Sequence, residues 1–156
     1  MANVIIGSCT YGKITKDPKW DILVESLMKD KSFVVFNFKI IRDELRKAPS
    51  QVLRVYDQIV STNMIPETKQ MDSLAQEYYI EYKNNGGNVG KKKILNDFKI
   101  VACASIKNCD LLFSDDERTL KSKNSLEAYK TVNLRRNYRT PTFYNLTDLK
   151  KRYLIK

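Results

Sequence analysis

Apolar residues along the chain fall into two periods. Val4-Ile5-Ile6, Phe33-Val34-Val35-Phe36 and Leu111-Leu112-Phe113 are short unbroken apolar runs, the pattern of strands buried on both faces of a parallel sheet. Between them the apolar positions recur every three or four residues. Trp20, Leu23, Val24, Leu27 and Met28 form one helical stripe behind Asp17-Pro18, a cap followed by proline. Asn37 is placed to cap a helix reaching about Lys47 and stopped before Pro49, and a further helix is expected over Gln51 to Ser61. Met71, Leu74, Ala75, Tyr78 and Tyr82 predict a helix from about Pro66 to Asn84, closed by Gly86-Gly87. Lys91-Lys92-Lys93 is expected in the following loop, with a helix from Lys93 to Lys107 leading into Asp110 and the third strand. A basic helix near 117–134, a strand over Thr142–Tyr144 and a last helix from Thr147 complete the reading. Strands alternating with helices predict an α/β domain, with a mainly parallel sheet covered by helices on both faces. A single domain, residues 1–156, is expected, with no internal repeat.

Composition narrows the chemistry. There is no histidine, which excludes Ser-His-Asp and Cys-His triads and imidazole ligation of zinc. The three cysteines, Cys9, Cys103 and Cys109, form no CxxC pair, so a disulfide framework and a structural zinc site are both poor readings. No apolar run approaches the length of a membrane span and the first residues lack a signal-peptide pattern, so a soluble, cytoplasmic protein is expected, with no membrane partner. The net charge is +10, and residues 117–156 carry 11 basic against 3 acidic side chains. A polyanion such as RNA is one reading of that basic C-terminal part, and a solvated lysine-rich surface is the other.

Four acids are placed unusually. Asp115 and Asp116 directly follow the third strand, at the strand ends where open α/β sheets gather their ligands. Asp97 lies three, four and seven residues before Ile100, Val101 and Ala104, on the buried stripe of its helix, and Glu44 faces the packed side set by Ile40 and Ile41. Each has a plainer reading: a first-turn cap for Asp97, an ion pair for Glu44, turn residues for Asp115-Asp116. Together they suggest one cluster, because buried carboxylates need a cation or a partner. Without histidine, such a cluster suits Mg²⁺ or Mn²⁺, hard ions that assist phosphoryl displacement.

These segments resemble the PIN-domain ribonucleases, most closely the VapC-like toxins of prokaryotic toxin–antitoxin pairs, over most of the chain. The matching segments are Val4-Ile5-Ile6-Gly7-Ser8-Cys9, Ile40-Ile41-Arg42-Asp43-Glu44, Asn96-Asp97-Phe98 with its small-residue helix, and Ser114-Asp115-Asp116. The resemblance implies an α/β/α sandwich and metal-dependent cleavage of single-stranded or structured RNA. It implies Glu44, Asp97 and Asp116 as metal-binding acids, Ser8 and Ser114 as supporting polar groups, and Asp115 as an auxiliary acid. It also implies an antitoxin protein as partner and a homodimer, with residues 51–85 as a helical clip. Gly7 stands where the family's first Asp belongs, so impaired cutting is expected of this chain. The competing explanations for Gly7 are an inactivating substitution, which is favoured, a degenerate relative that binds RNA or protein without cutting, and a different alignment of the first strand. A receiver-like signalling domain fits less well, since a phosphoacceptor Asp and a later Lys cannot both be placed.

Basic side chains at Lys91, Lys92, Lys93, Arg135, Arg136 and Arg139 are the candidates for phosphate contact, a solvated run being the alternative for the lysines. Tyr78, Tyr79 and Tyr82 are better read as packing residues than as base-stacking ones, and Cys9 as a packed thiol rather than a nucleophile.

Overall fold

The computed structural model describes residues 1–154. Its elements are β1 (Ala2–Ile6), α1 (Ser8–Lys16), α2 (Trp20–Lys29), β2 (Phe33–Val35), α3 (Lys39–Leu45), α4 (Ser50–Ile59), α5 (Lys69–Asn84), α6 (Lys91–Ile106), β3 (Leu111–Phe113), α7 (Lys123–Arg136), β4 (Thr142–Tyr144) and α8 (Leu146–Leu154). The four strands form one sheet in the order β2-β1-β3-β4, parallel throughout. In central β1, Val4, Ile5 and Ile6 are fully buried because helices cover both faces. Helices α1, α2, α4 and α8 pack together on one side, α5, α6 and α7 on the other, and α3 touches α1, α4 and α6. The result is the expected three-layer sandwich.

An aromatic cluster joins the α5–α7 layer. Tyr78, Tyr82, Phe98 and Tyr129 meet edge to face at 5.1–6.2 Å. The Tyr78 hydroxyl enters a buried network with Ser105 and Asn133. The tyrosines of α5 at positions 78 and 82 are thus packing residues. No helix among the described residues is long and apolar enough to cross a membrane.

Several local expectations are corrected. Residues 8–16 form a helix that the sequence pattern did not announce. Asn37 does not cap α3: Phe38 occupies the N-cap, and Asn37 instead accepts a hydrogen bond from the Tyr56 hydroxyl at 2.8 Å. Asp17 closes α1 and binds the Lys19 amide, while α2 starts only at Trp20. Lys91, Lys92 and Lys93 are not loop residues but the first turn of α6, behind Gly90. The basic helix begins at Lys123, capped by Ser122, rather than at 117. Within residues 51–85, α4 packs on α1, α2 and α3 whereas α5 packs on α6 and α7.

Candidate active site

The site is built where β1 and β3 end. Ile6 pairs with Phe113, so Gly7 and Ser114 leave the carboxyl edge of the sheet side by side, and the Gly7 amide donates to the Phe113 carbonyl at 2.8 Å. Helix α1 begins at once with Ser8. Helix α3 buries Ile40, Ile41 and Leu45 and thereby turns Glu44 toward the same point; α6 does so for Asp97 by burying Ile100, Val101 and Ala104. Gly7, Ser8, Cys9, Glu44, Asp97, Ser114 and Asp116 line one cavity of about 150 Å³, floored by Ile100 and Leu120.

Within it, Ser8 Oγ donates to Glu44 Oε1 at 2.9 Å. Asp116 folds back on its own turn, Oδ1 accepting from the amides of Arg118 and Thr119 at 3.1 and 2.9 Å, while its own amide donates to Ser114 Oγ. Thr119 Oγ1 lies 2.6 Å from Asp97 Oδ2 and 2.5 Å from Asp116 Oδ2. Burial drives the Asp97 carboxyl up to about 7, and the neighbouring Asp116 and Glu44 charges push the same way against the Thr119 hydrogen bond. Burial likewise raises Glu44, opposed by the Ser8 hydrogen bond and by Lys47. Both acids therefore sit where a negative charge is disfavoured until something positive arrives.

The structure divides the other candidates. Asp115 does not reach the cavity: successive residues of an extended segment point to opposite sides, so Asp115 turns away where Asp116 turns in. Its carboxylate accepts from Thr10 Oγ1 at 2.8 Å and from the Leu146 amide at the start of α8, with Lys13 at 3.8 Å, which makes it a link between α1 and α8. Lys91, Lys92 and Lys93 are exposed at the start of α6, with Lys93 one helical turn before Asp97, and none of the three lines the cavity. Arg135, Arg136 and Arg139 lie elsewhere. Helix α7 runs from the carboxyl edge of the sheet to the amino edge, and its last turn puts Arg135 and Arg136 against Glu81 and Glu77 at 3.5 and 2.6 Å. Arg139 pairs with Asp110, at the amino end of β3. Two residues that sequence reasoning passed over belong to the site's frame: Thr119, and Lys121, whose Nζ donates to the Ser114 carbonyl at 2.7 Å. Neither sits in a motif, and only the turn's folding back on α6 brings them in.

The donor set is all oxygen apart from the Cys9 thiol and contains no cationic lining residue, which is the chemistry of a hard divalent cation site. The geometry is incomplete, however. Among the described residues no three acidic or cysteine side chains already stand close enough to grip an ion. The gap is at Gly7. Its φ of −74° and ψ of 161° suit any residue, and a Cβ placed there would meet the Phe113 carbonyl at 3.4 Å and Ser114 Oγ at 3.7 Å, ordinary contacts. Neither backbone nor space requires glycine.

No family model matches the chain, and no curated relative does. Among solved structures, the chain is similar to one in the crystal structure of VapBC2 from Rickettsia felis bound to a DNA fragment from their promoter. The TM-score is 0.55 at 17% identity, over 92% of this chain and 98% of that one. The fold is PIN-like.

Proposed function

We propose that this chain is a PIN-type endoribonuclease, the toxin of a toxin–antitoxin pair, with its acid site left one ligand short at Gly7. The observation that carries the reading is the convergence of Glu44, Asp97 and Asp116 on one cavity beside a glycine where a Cβ would make only ordinary contacts. The likeness to a chain of the VapBC2 assembly supports the same reading, and with it an antitoxin partner and a homodimer.

Glu44, Asp97 and Asp116 would hold Mg²⁺ or Mn²⁺, which when bound activates water and stabilises the oxygens of an in-line phosphoryl displacement. The chain's own residues prepare that role. Ser8 orients Glu44 from the first turn of α1. The turn at Asp116 fixes one carboxylate oxygen on two backbone amides and leaves the other facing Thr119. Half-buried carboxylates without a cationic neighbour in the lining make the cavity attractive to a divalent ion. Single-stranded or structured RNA is the substrate, drawn by exposed Lys91, Lys92 and Lys93 at the start of α6 and by the overall positive charge, so binding weakens steeply with salt. The protein acts in the cytoplasm.

Paired cleavage of an unstructured RNA in Mn²⁺ and in Mg²⁺ tests this. Gly7→Asp is expected to cut faster than the parent chain by more than about a hundredfold, since outer partners of a metal site alone are worth about 10–100-fold. Asp97→Asn in the Gly7→Asp background is expected to abolish the gain. If neither protein cuts while both bind RNA with a steep salt dependence, the chain is a binding module on the same fold.

A further inference from the structure

Thr119 lies three residues after Asp116 in the turn between β3 and α7, outside every recognisable motif. Its backbone is pinned from both directions: its amide donates to Asp116 Oδ1 at 2.9 Å, and its carbonyl accepts from the hydroxyl of buried Ser125, itself tied to the N-cap Ser122. The side chain therefore has little freedom. Its hydroxyl stands between Asp97, delivered by α6, and Asp116, delivered by the turn, within hydrogen-bond distance of one oxygen of each. A hydroxyl carries a single proton and can donate to only one carboxylate at a time. The bridge thus holds two acids from separate elements at one point without neutralising them both. Asp97 Oδ1 accepts no hydrogen bond among the described residues, which leaves that oxygen for a ligand in the cavity.

We propose that Thr119 is a positioning residue, whose hydroxyl sets the separation and aim of Asp97 and Asp116 for a shared divalent cation. This rests on the metal-dependent reading of the site. Thr119 does not line the cavity; it acts through the two carboxylates, in the manner of the outer partners that orient metal ligands. Valine has nearly the shape of threonine but cannot bridge, whereas serine keeps the hydroxyl.

The experiment is a titration of the metal-free protein with Mn²⁺, following free Mn²⁺ by electron paramagnetic resonance, in the parent chain and in Gly7→Asp. Thr119→Val is expected to weaken Mn²⁺ binding about 10–100-fold, and Thr119→Ser to restore it to within about threefold. Metal-free melting of each variant separates aim from folding: a purely structural role would lower the melting temperature of Thr119→Val and leave its Mn²⁺ affinity at the parent value, which overturns the proposal alone. Absence of saturable Mn²⁺ binding in both the parent and Gly7→Asp overturns the metal reading and the positioning role together.

Discussion

The two edges of the sheet treat the same side chain in opposite ways. At the amino edge, Asp30 precedes β2 and Asp110 precedes β3, and each is surrounded by donors. Asp30 is taken down to about 2: burial pushes it up, but hydrogen bonds from Arg152, Tyr153 and the Ser32 amide outweigh that. Asp110 is lowered by the Asn3 amide and by Arg139. At the carboxyl edge, Asp97 and Glu44 are raised, burial being the largest cause for both and their cluster adding to it for Asp97. Asp30 and Asp110 at the amino edge stabilise the fold in their ionised form, whereas ionising Asp97 or Glu44 at the carboxyl edge costs stability. That cost, at two acids which line one cavity, is what the proposed cation site would relieve.

The largest test of that contrast is Asp97→Asn. A folded-state value near 7, against an ordinary 3.8, means the native chain holds the proton longer than the unfolded one, so stability falls as pH rises from about 4 to 7. Asp97→Asn is therefore expected to stabilise the metal-free protein by about 3–4 kcal/mol at pH 8, with a much smaller gain at pH 5, read from urea unfolding at the two pH values. Asp30→Asn should do the reverse. The folded carboxyl lies near 2, so its contribution is complete above 3.8 and lost as pH falls through 2. The expected loss is about 2 kcal/mol at pH 7, disappearing in acid; an Asp30→Asn variant as stable as the parent at pH 7 breaks the contrast from the amino side. The smallest effect concerns α1, the helix leading away from the site. Tyr11 is fully buried and its hydroxyl has no partner among the described residues, while neighbouring Tyr56, whose ring meets it at 5.0 Å, is satisfied by Asn37 and Phe38. Tyr11→Phe is expected to raise stability by about 1 kcal/mol, seen as a melting shift of a few degrees, with no change at the acid cavity.

The sheet was legible because β1, β2 and β3 are continuous apolar runs, a pattern that only burial on both faces explains. Helix α1 was not. Its buried residues, Thr10, Tyr11 and Ile14, mix a polar with two apolar types, and Gly12 and Thr15 lower its helix propensity. Its existence follows from Gly7 and Ser8 turning off the end of β1. At the site, Asp97 and Glu44 showed through their place on apolar stripes. Alternation alone could not say which of Asp115 and Asp116 turns inward, because it does not give the face on which the cavity lies; only the resemblance at Ser114-Asp115-Asp116 singled out Asp116, which lines the cavity. Arg135, Arg136 and Arg139 suggested a phosphate surface by charge alone, and their pairing with Glu81, Glu77 and Asp110 depends on contacts 29–59 residues apart in sequence. Thr119 had no signal: its role arises from a turn meeting a helix 22 residues upstream.

The most direct test of the central claim, an acid cavity built for a cation and short of one ligand, is the melting of the parent chain and Gly7→Asp at pH 8, with and without Mn²⁺. A carboxylate at position 7 adds an N-cap to α1, worth a few tenths of a kcal/mol over glycine, and a further negative charge to a cluster that already resists ionisation. Without the ion, Gly7→Asp is predicted to melt below the parent; with Mn²⁺ the order is predicted to reverse. Gly7→Asp melting above the parent in the absence of metal and unmoved by Mn²⁺ would contradict the account, leaving position 7 as a helix cap and nothing more.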